Sequence, residues 1–498
     1  MKVTFISPYP DITAFGIRGI SSYLKKHGHK TQLIFLPDPH GDNLMYNVQR
    51  YEDNILKELV LLCKDSNLIG ITLMTNFFDA AVQITRKLKS EISTPIIWGG
   101  VHPTICPDES LEYADMVCIG DGEDAMLELA NKMADGEDCS NVANFCIKHN
   151  GKIIKNPVRP LTRDIDHYPI ADYIMEDHHI ILDGHIRPLT PELIRFFQER
   201  AVLSVFLKKI GYQTMTGRGC PHKCTYCVND MIKNLYAGQS YLRWRSTAHV
   251  MEELLWVKKN MPYVNFVWIS DDAFFARNPE SLREFCREYK EKINIPFTCL
   301  ASPLTITEEK MKILIDAGLI YLQMGVESGS RNVQEVFNRK NMSNERMMKA
   351  IEIINKYKEK MLPPAYDFIL DVPYETDEDK VESLRFISEI PKPFRLQPFS
   401  LVLYPGTKLY QMAKADGIIT DEKKQIYAKS YGMREPNYFN LLMTLSKDGH
   451  MPSLLLKLLI SNPVVKILNS KPMKPFFRYL DKGLRGTSHL IRKLVKNV

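Results

Sequence analysis

The chain has no run of about 18 apolar residues, so no transmembrane helix is expected. Its opening, Met1-Lys2-Val3-Thr4-Phe5-Ile6-Ser7-Pro8, lacks the apolar core of a secretory signal and reads as a short strand ending in prolines. Ten cysteines without such a signal imply a reducing compartment, and the expected location is cytoplasmic. There is no second C-x₂-C pair of the kind that usually completes a zinc site. No recognisable nucleic-acid-binding module accompanies the basic residues, so nucleic acid is not an expected partner. What remains is 498 residues, 45% hydrophobic and 25% charged, the composition of a soluble globular protein of two or three domains. The net charge of +6 is uneven. Residues 451–498 hold ten Lys or Arg against Asp481 alone, which leaves the rest of the chain at −3.

The most informative stretch is Gly217-Arg218-Gly219-Cys220-Pro221-His222-Lys223-Cys224-Thr225-Tyr226-Cys227. A C-x₃-C-x₂-C spacing lets three thiolates take one corner each of a 4Fe–4S cubane. Such clusters usually take four cysteines, so one iron stays open for chemistry. With His222 beside it, the same pattern also suits a Cys₃His zinc site. The scattered cysteines (63, 106, 118, 139, 146, 286 and 299) read as small core residues.

Residues 1–145 alternate strand-like and helix-like segments. Strands are predicted over 2–7, 31–36, 68–73, 95–98 and 116–119, with helices over 14–27 (Gly28 as its cap), 52–64, 78–90 and 123–133. This alternation implies an α/β, doubly wound, flavodoxin-like domain with its ligand at the carboxyl ends of the strands. Thr72, Met74, Thr75, Gly99, Gly100, Val101, His102, Gly120 and Gly122 fall at those ends, and glycines there allow a large ligand close to the backbone. Residues 146–210 read as a connector, with a helix over 189–203. Over 211–415 strands are predicted before Gly217 and at 265–270, 296–300, 320–325, 365–370 and 395–399, with helices such as 247–260 and 344–358 between them. Six β/α units of this kind make a partial (β/α)₆ barrel, with chemistry at the strand carboxyl ends.

The cysteine loop resembles that of the radical SAM enzymes, where the open iron is chelated by S-adenosylmethionine. Gly99-Gly100-Val101-His102-Pro103-Thr104 and Gly120-Asp121-Gly122-Glu123 resemble the cobalamin-binding domain of one large branch of that family. That branch includes the oxygen-independent Mg-protoporphyrin monomethyl ester cyclase and cobalamin-dependent C-methyltransferases. The resemblance covers about residues 1–415 and implies the following. Cys220, Cys224 and Cys227 hold the cluster. Tyr226, Asp271, Asp272, Ser302, Glu327, Ser328 and Arg339 bind S-adenosylmethionine. The nine strand-end residues named above line the cobalamin site. Asp38-Pro39-His40 begins the D-x-H-x-x-G of other cobalamin proteins, but Asn43 replaces its glycine, so no cobalt-ligating histidine is expected. Asp371 stands where the family more often has glycine, which makes its turn a point of departure. Leu403-Tyr404-Pro405-Gly406-Thr407 matches the family closely. Structural turns or N-caps are the competing reading for Glu375, Thr376 and Thr407.

The implied activity is oxygen-sensitive, reductive cleavage of S-adenosylmethionine with C-methylation of an unactivated carbon. Radical cyclisation or ring rearrangement stands second, and a non-catalytic cobalamin or metal sensor is remote. The implied electron donor is of flavodoxin or ferredoxin type. The substrate is a small molecule or a lipid, and no catalytic residue is assigned. Residues 416–498 read as a basic helical region. Residues 427–438 are a candidate cover for the barrel mouth, and 484–498 a basic amphipathic helix suited to an anionic membrane surface.

Overall fold

The structure, a computed structural model, describes residues 1–37 and 50–480. It divides into two units: residues 1–300, 316–319 and 402–430 form one, and 301–315, 320–401 and the described residues from 431 onward form the other.

The first unit is built on a nine-stranded sheet. Its central strands are β1 (Lys2–Ser7), β2 (Lys30–Phe35), β3 (Leu68–Thr72), β4 (Ile96–Gly99) and β5 (Met116–Cys118), parallel and in the order β5-β4-β3-β1-β2. This is the doubly wound order, with its switch point between β1 and β3. The strands are apolar on both faces because helices cover both. Helix Phe15–Lys26 buries Ile17, Tyr23 and Leu24 and ends on Lys25 and Lys26, with Gly28 in the left-handed region at φ 83°. Trp98 of β4 is fully buried, and its indole N–H donates to Thr85 Oγ1 at 2.9 Å. Predicted and observed boundaries here differ by one or two residues.

The stretch read as a connector contributes four short strands to the edges of this sheet. β6 (Phe145–His149) and β7 (Lys152–Lys155) form a hairpin added antiparallel to β5, and β8 (His179–Leu182) and β9 (His185–Pro188) form another beside β2. Each turns on two residues of positive φ, Asn150-Gly151 and Asp183-Gly184. Asn-Gly and Asp-Gly are the pairs that a tight hairpin turn requires. The single helix expected over 189–203 is two, Pro191–Arg200 and Val202–Leu207, broken at Ala201. Leu203 and Leu207 come nine and thirteen residues after the buried Ile194, near the opposite face of any continuous helix, so the break lets both segments bury their apolar residues.

The rest of this unit holds the start of the barrel: β10 (Gly211–Thr214), the short antiparallel pair β11 (Gly217–Arg218) and β12 (Arg243–Trp244), then β13 (Phe266–Ile269) and β14 (Phe297–Ala301). β10, β13 and β14 run parallel, Gly211 opposite Phe266 and Val267 opposite Phe297. The second unit holds β15 (Leu319–Glu327), β16 (Ala365–Leu370) and β17 (Arg395–Ser400), also parallel. After them come helices Tyr438–Leu445, Ser453–Leu459 and Asn462–Leu468. The loop from 431 to 437 lies on the carboxyl ends of β16 and β17. Ser400 N–H donates to Tyr431 O at 2.7 Å, and Glu435 N–H to Asp371 at 3.1 Å. Asp38, Pro39, His40 and Asn43, and the amphipathic helix expected over 484–498, lie outside the described residues.

Asp172 ties the chain after the first hairpin back to the first helix. It accepts from Ser21 Oγ at 2.5 Å and from Ile174 N–H at 3.0 Å, pairs with Lys25 at 2.8 Å and lies 3.2 Å from His178 Nε2. Burial works against its charge, but these partners hold its carboxyl well below the usual range. Asp172→Ala leaves Lys25 and His178 without their anion, so a loss of about 3–5 kcal/mol is expected, read as a lower urea midpoint. An unchanged midpoint would mean that Asp172 holds nothing in place.

Candidate active site

The cysteine loop is fixed from both sides. β11 pairs with β12, Gly217 opposite Trp244 and Arg218 opposite Arg243. Gly219 has φ 95°, and a Cβ there would lie 2.5 Å from Tyr241 O, so only glycine passes. On the far side Cys227 caps helix Val228–Leu235, and its N–H donates to Cys224 O at 3.2 Å. Thr225 O accepts Leu409 N–H at 2.9 Å, and Lys408 pairs with Asp230 at 2.9 Å, which ties the loop to the segment after the barrel strands.

None of the three thiols is in a disulfide; Cys224 is buried, and Cys220 and Cys227 are half-buried. Burial pushes the Cys220 thiol up to about 11 and Cys227 to about 12, and the neighbouring cysteines and Asp272 add to both shifts. Three mutually interacting thiols in one desolvated loop fit a thiolate-bound cluster, and binding it must displace their protons. Tyr226 is half-buried beside them.

The two aspartates after β13 differ. Asp271 is buried, and both of its oxygens are engaged. It accepts from Thr216 N–H and Thr216 Oγ1, each at 2.5 Å, and from Gly217 N–H. Burial still lifts its carboxyl to about 6. Arg277 donates to Thr216 Oγ1 at 2.9 Å from behind. Asp271 therefore holds the base of the cysteine loop; Asp272 is the more accessible of the pair and the one with room for a ligand, although desolvation of its carboxyl pushes it up against a hydrogen bond from Asn229.

A cavity of about 420 Å³ lies in the first unit at the carboxyl ends of β3, β4 and β5. Thr72, Gly99, Gly100, Val101, Gly120 and Gly122 line it, and so do Tyr212, Thr214, Gly217 and Arg218 from the start of the barrel. Its size is that of a cofactor pocket, and its position is the one this topology reserves for ligands. Gly100 has φ 101°, and a Cβ there would meet Leu73 O at 2.9 Å. At Gly120 the close approach is made by the protein itself. A Cβ would lie 1.9 Å from the Tyr236 hydroxyl, which accepts Asp121 N–H at 3.0 Å. Met74, Thr75 and His102 are not on the cavity wall. Met74 is exposed, and His102 is fully buried beside Thr75.

Ion pairs that the sequence reading did not assign join the two motif regions. Arg218, inside the cysteine-loop motif, donates to Glu123 at 2.5 Å and to Asp121 at 3.2 Å, and Arg243 donates to Asp121 at 2.9 Å. Burial opposes the charge of Asp121, but Arg218 and Arg243 hold its carboxyl below the usual range. The clue was present in the sequence as Arg218 in one motif and Asp121 and Glu123 in the other.

The second unit places its sequence-predicted residues mainly in turns and caps. Ser302 precedes the turn Pro303–Thr305, with its N–H donating to Thr305 Oγ1. Ser328 is buried against Ser383 Oγ at 3.1 Å. Glu327 ends β15 at φ 70° and lies 3.8 Å from Arg339, whose guanidinium also donates to Gly325 O at 2.6 Å. Thr376, and Thr407 of the first unit, cap the helices Asp377–Glu389 and Lys408–Ala415, so both serve as N-caps. Burial lifts the Glu375 carboxyl to about 8. Asp371 has φ 61°, so it adopts the left-handed turn a glycine would adopt, held by Asn440 Nδ2 at 2.7 Å and Ser400 Oγ at 2.6 Å. The two cysteines outside the loop that are not core residues are Cys106 and Cys139, both half-buried.

These roles separate by mutation. Cys224→Ala should abolish iron binding on anaerobic reconstitution, against about four irons in the parent. Asp271→Asn should lower iron occupancy by loosening the loop, and Asp272→Ala should leave iron intact and weaken binding of S-adenosylmethionine. Equal iron loss in both aspartate variants would contradict the division of labour.

The chain matches the radical SAM superfamily over residues 214–387 and the B12 binding domain over residues 1–130. It is 25% identical over 381 residues to an uncharacterized methyltransferase of Pyrococcus horikoshii, covering 74% of each chain. It is 22% identical over 377 residues to the bacteriochlorophyllide d C-8(2)-methyltransferase of Chlorobaculum tepidum, covering 73% of this chain and 72% of that one. An anaerobic magnesium-protoporphyrin IX monomethyl ester cyclase of Synechocystis matches at 22% over 342 residues, 66% of this chain and 58% of that one. Among solved structures, the radical S-adenosylmethionine methyltransferase TsrM from Kitasatospora setae shares the fold, with a TM-score of 0.64 at 15% identity over 84% of this chain and 77% of that one. A three-cysteine loop at the first strand of a partial (β/α)₆ barrel, behind a doubly wound domain that matches B12 binders, makes the chain a member of the radical SAM superfamily: an enzyme of the cobalamin-binding branch, whose cofactors are a 4Fe–4S cluster, S-adenosylmethionine and cobalamin.

Proposed function

We propose that the enzyme transfers a methyl group to an unactivated carbon of its substrate. The observation that carries this reading is the cavity of the first unit, whose wall runs from the strand ends of the B12 binding domain to Gly217 and Arg218 of the cysteine loop. When bound, the cluster with S-adenosylmethionine supplies a hydrogen-abstracting radical, and cobalamin supplies a transferable methyl group.

The chain's own residues hold and shield. Cys220, Cys224 and Cys227 hold the cluster, and Asp272 offers a carboxylate to the amine of S-adenosylmethionine. Thr72, Gly99, Gly100, Val101, Gly120 and Gly122 receive cobalamin. Asp121, Glu123, Arg218 and Arg243 keep the two regions in one arrangement, which is the protein's main contribution where the cofactors do the chemistry. The electron comes from a flavodoxin- or ferredoxin-type donor. That two relatives are named methyltransferases supports this choice over cyclisation. Product analysis tests it. Methylation yields S-adenosylhomocysteine beside 5′-deoxyadenosine. Cyclisation yields 5′-deoxyadenosine alone, and that result would move the assignment.

We also infer a peripheral contact with an anionic membrane, and with it a lipid-like substrate. Among the described residues no helix is long and apolar enough to cross a membrane. The helices Ser453–Leu459 and Asn462–Leu468 nevertheless expose Leu454 (83%), Leu458 (61%) and Ile467 (66%), with Lys457 and Lys466 between them. Apolar side chains interleaved with lysines suit an interface of acyl chains and acidic headgroups. Full-length protein should co-sediment with phosphatidylserine-containing vesicles, and Leu454→Glu with Leu458→Glu should release it. Equal sedimentation of parent and variant would remove the membrane contact.

A further inference from the structure

We propose that His102, Cys106 and Glu109 form a mononuclear site for a divalent transition ion of the zinc type, separate from the cysteine loop. The three residues follow at four- and three-residue spacing across the short helices Val101–Ile105 and Pro107–Tyr113, which brings them to one side. Their ligating atoms, an imidazole nitrogen, a thiol sulfur and a carboxylate oxygen, all lie within 4.8 Å of one another.

The state of the imidazole makes this more than a cluster. His102 is fully buried, and its Nε2 has no hydrogen-bond partner, although Glu109 Oε2 lies 3.4 Å away. A buried ring nitrogen left bare is uncommon and calls for an explanation. The other ring nitrogen is occupied, with Nδ1 3.2 Å from Thr75 Oγ1. If Nδ1 carries the proton, Nε2 presents its lone pair to Cys106 and Glu109. The carboxylate is oriented in the same way, since the Tyr427 hydroxyl donates to Glu109 Oε2 at 2.6 Å. An outer partner on each ligand is the usual construction of a metal site. The rings of Phe78 and Tyr427 pack on the imidazole at 5.0 and 5.8 Å and keep the surroundings apolar.

The donor set selects the ion. Nitrogen, sulfur and oxygen together suit Zn²⁺, and also Co²⁺ or Fe²⁺, rather than Mg²⁺ or Ca²⁺. Three protein ligands leave one tetrahedral position for water. On binding, the Cys106 thiol gives its proton to solvent. The segment the ion would fasten begins at Gly100 and Val101, which line the cavity, so the site acts as a brace on one wall of the cofactor pocket.

The test uses the full-length chain carrying Cys220→Ala, Cys224→Ala and Cys227→Ala, so that the cysteine loop cannot bind the probe. After chelator treatment this chain is titrated with Zn²⁺ against a colorimetric competitor, and separately with Co²⁺. One Zn²⁺ per chain and a cobalt–thiolate charge-transfer band in the near ultraviolet are expected. Adding Cys106→Ser should abolish the band and weaken Zn²⁺ binding by about a hundredfold or more, and Glu109→Gln should weaken binding while the band remains. No thiolate band in the parent, or Zn²⁺ held equally tightly after Cys106→Ser, would overturn the site.

Discussion

The first unit depends on how four charges meet. Asp121 and Glu123 leave the last parallel strand of the doubly wound sheet, and Arg218 and Arg243 come from the paired strands that present the cysteine loop. Glu123 and Arg243 are nearly inaccessible to water, so neither could stay charged without the other side. Arginine suits this place because its fork reaches two carboxylates in one fixed geometry, which a lysine could not do. Buried pairs of this sort are weak arguments for stability and better ones for a single register between parts. Here the parts are the floor of a cavity and the loop that carries three thiols.

Around that junction the backbone is specified by local chemistry. Gly100 and Gly219 are held where any side chain would strike a carbonyl oxygen. Asp271 spends both of its oxygens on Thr216 and Gly217, so the loop stands on a rigid base. Rigidity of this kind matters for radical chemistry, where small displacements of the reacting groups cost large factors in rate.

Much of this could be read from the chain alone because the signals are periodic or chemically specific. The parallel strands announce themselves as short apolar runs alternating with helical stripes. The thiol spacing has few other uses. The hairpins at either side of the sheet did not emerge from the sequence, although Asn150-Gly151 and Asp183-Gly184 mark their turns, because the strands they join are short and largely polar outside. The division of Asp271 from Asp272, and of Thr72 from Met74, depends on which way a side chain turns at a strand end. Sequence spacing does not encode that. His102 shows the same limit: its neighbours in the chain line the cavity while its own ring faces Thr75 and Glu109. At Asp371 residue identity misled, since the turn keeps the conformation of a glycine with an aspartate in place.

The two hairpins that flank the sheet carry a further consequence, for solubility. A nine-stranded sheet ends in two rows of unpaired backbone groups, which are templates for sticking to another chain. Here both outermost strands are only four residues long. β7 begins and ends in lysine, and β9 contains His185 and Arg187 and closes on Pro188, which has no N–H to offer. Short, basic, and on one side closed by proline with the Ile186 N–H already donated to Glu58 Oε2 at 2.6 Å, the borders of the sheet are poor templates for a further strand from another chain.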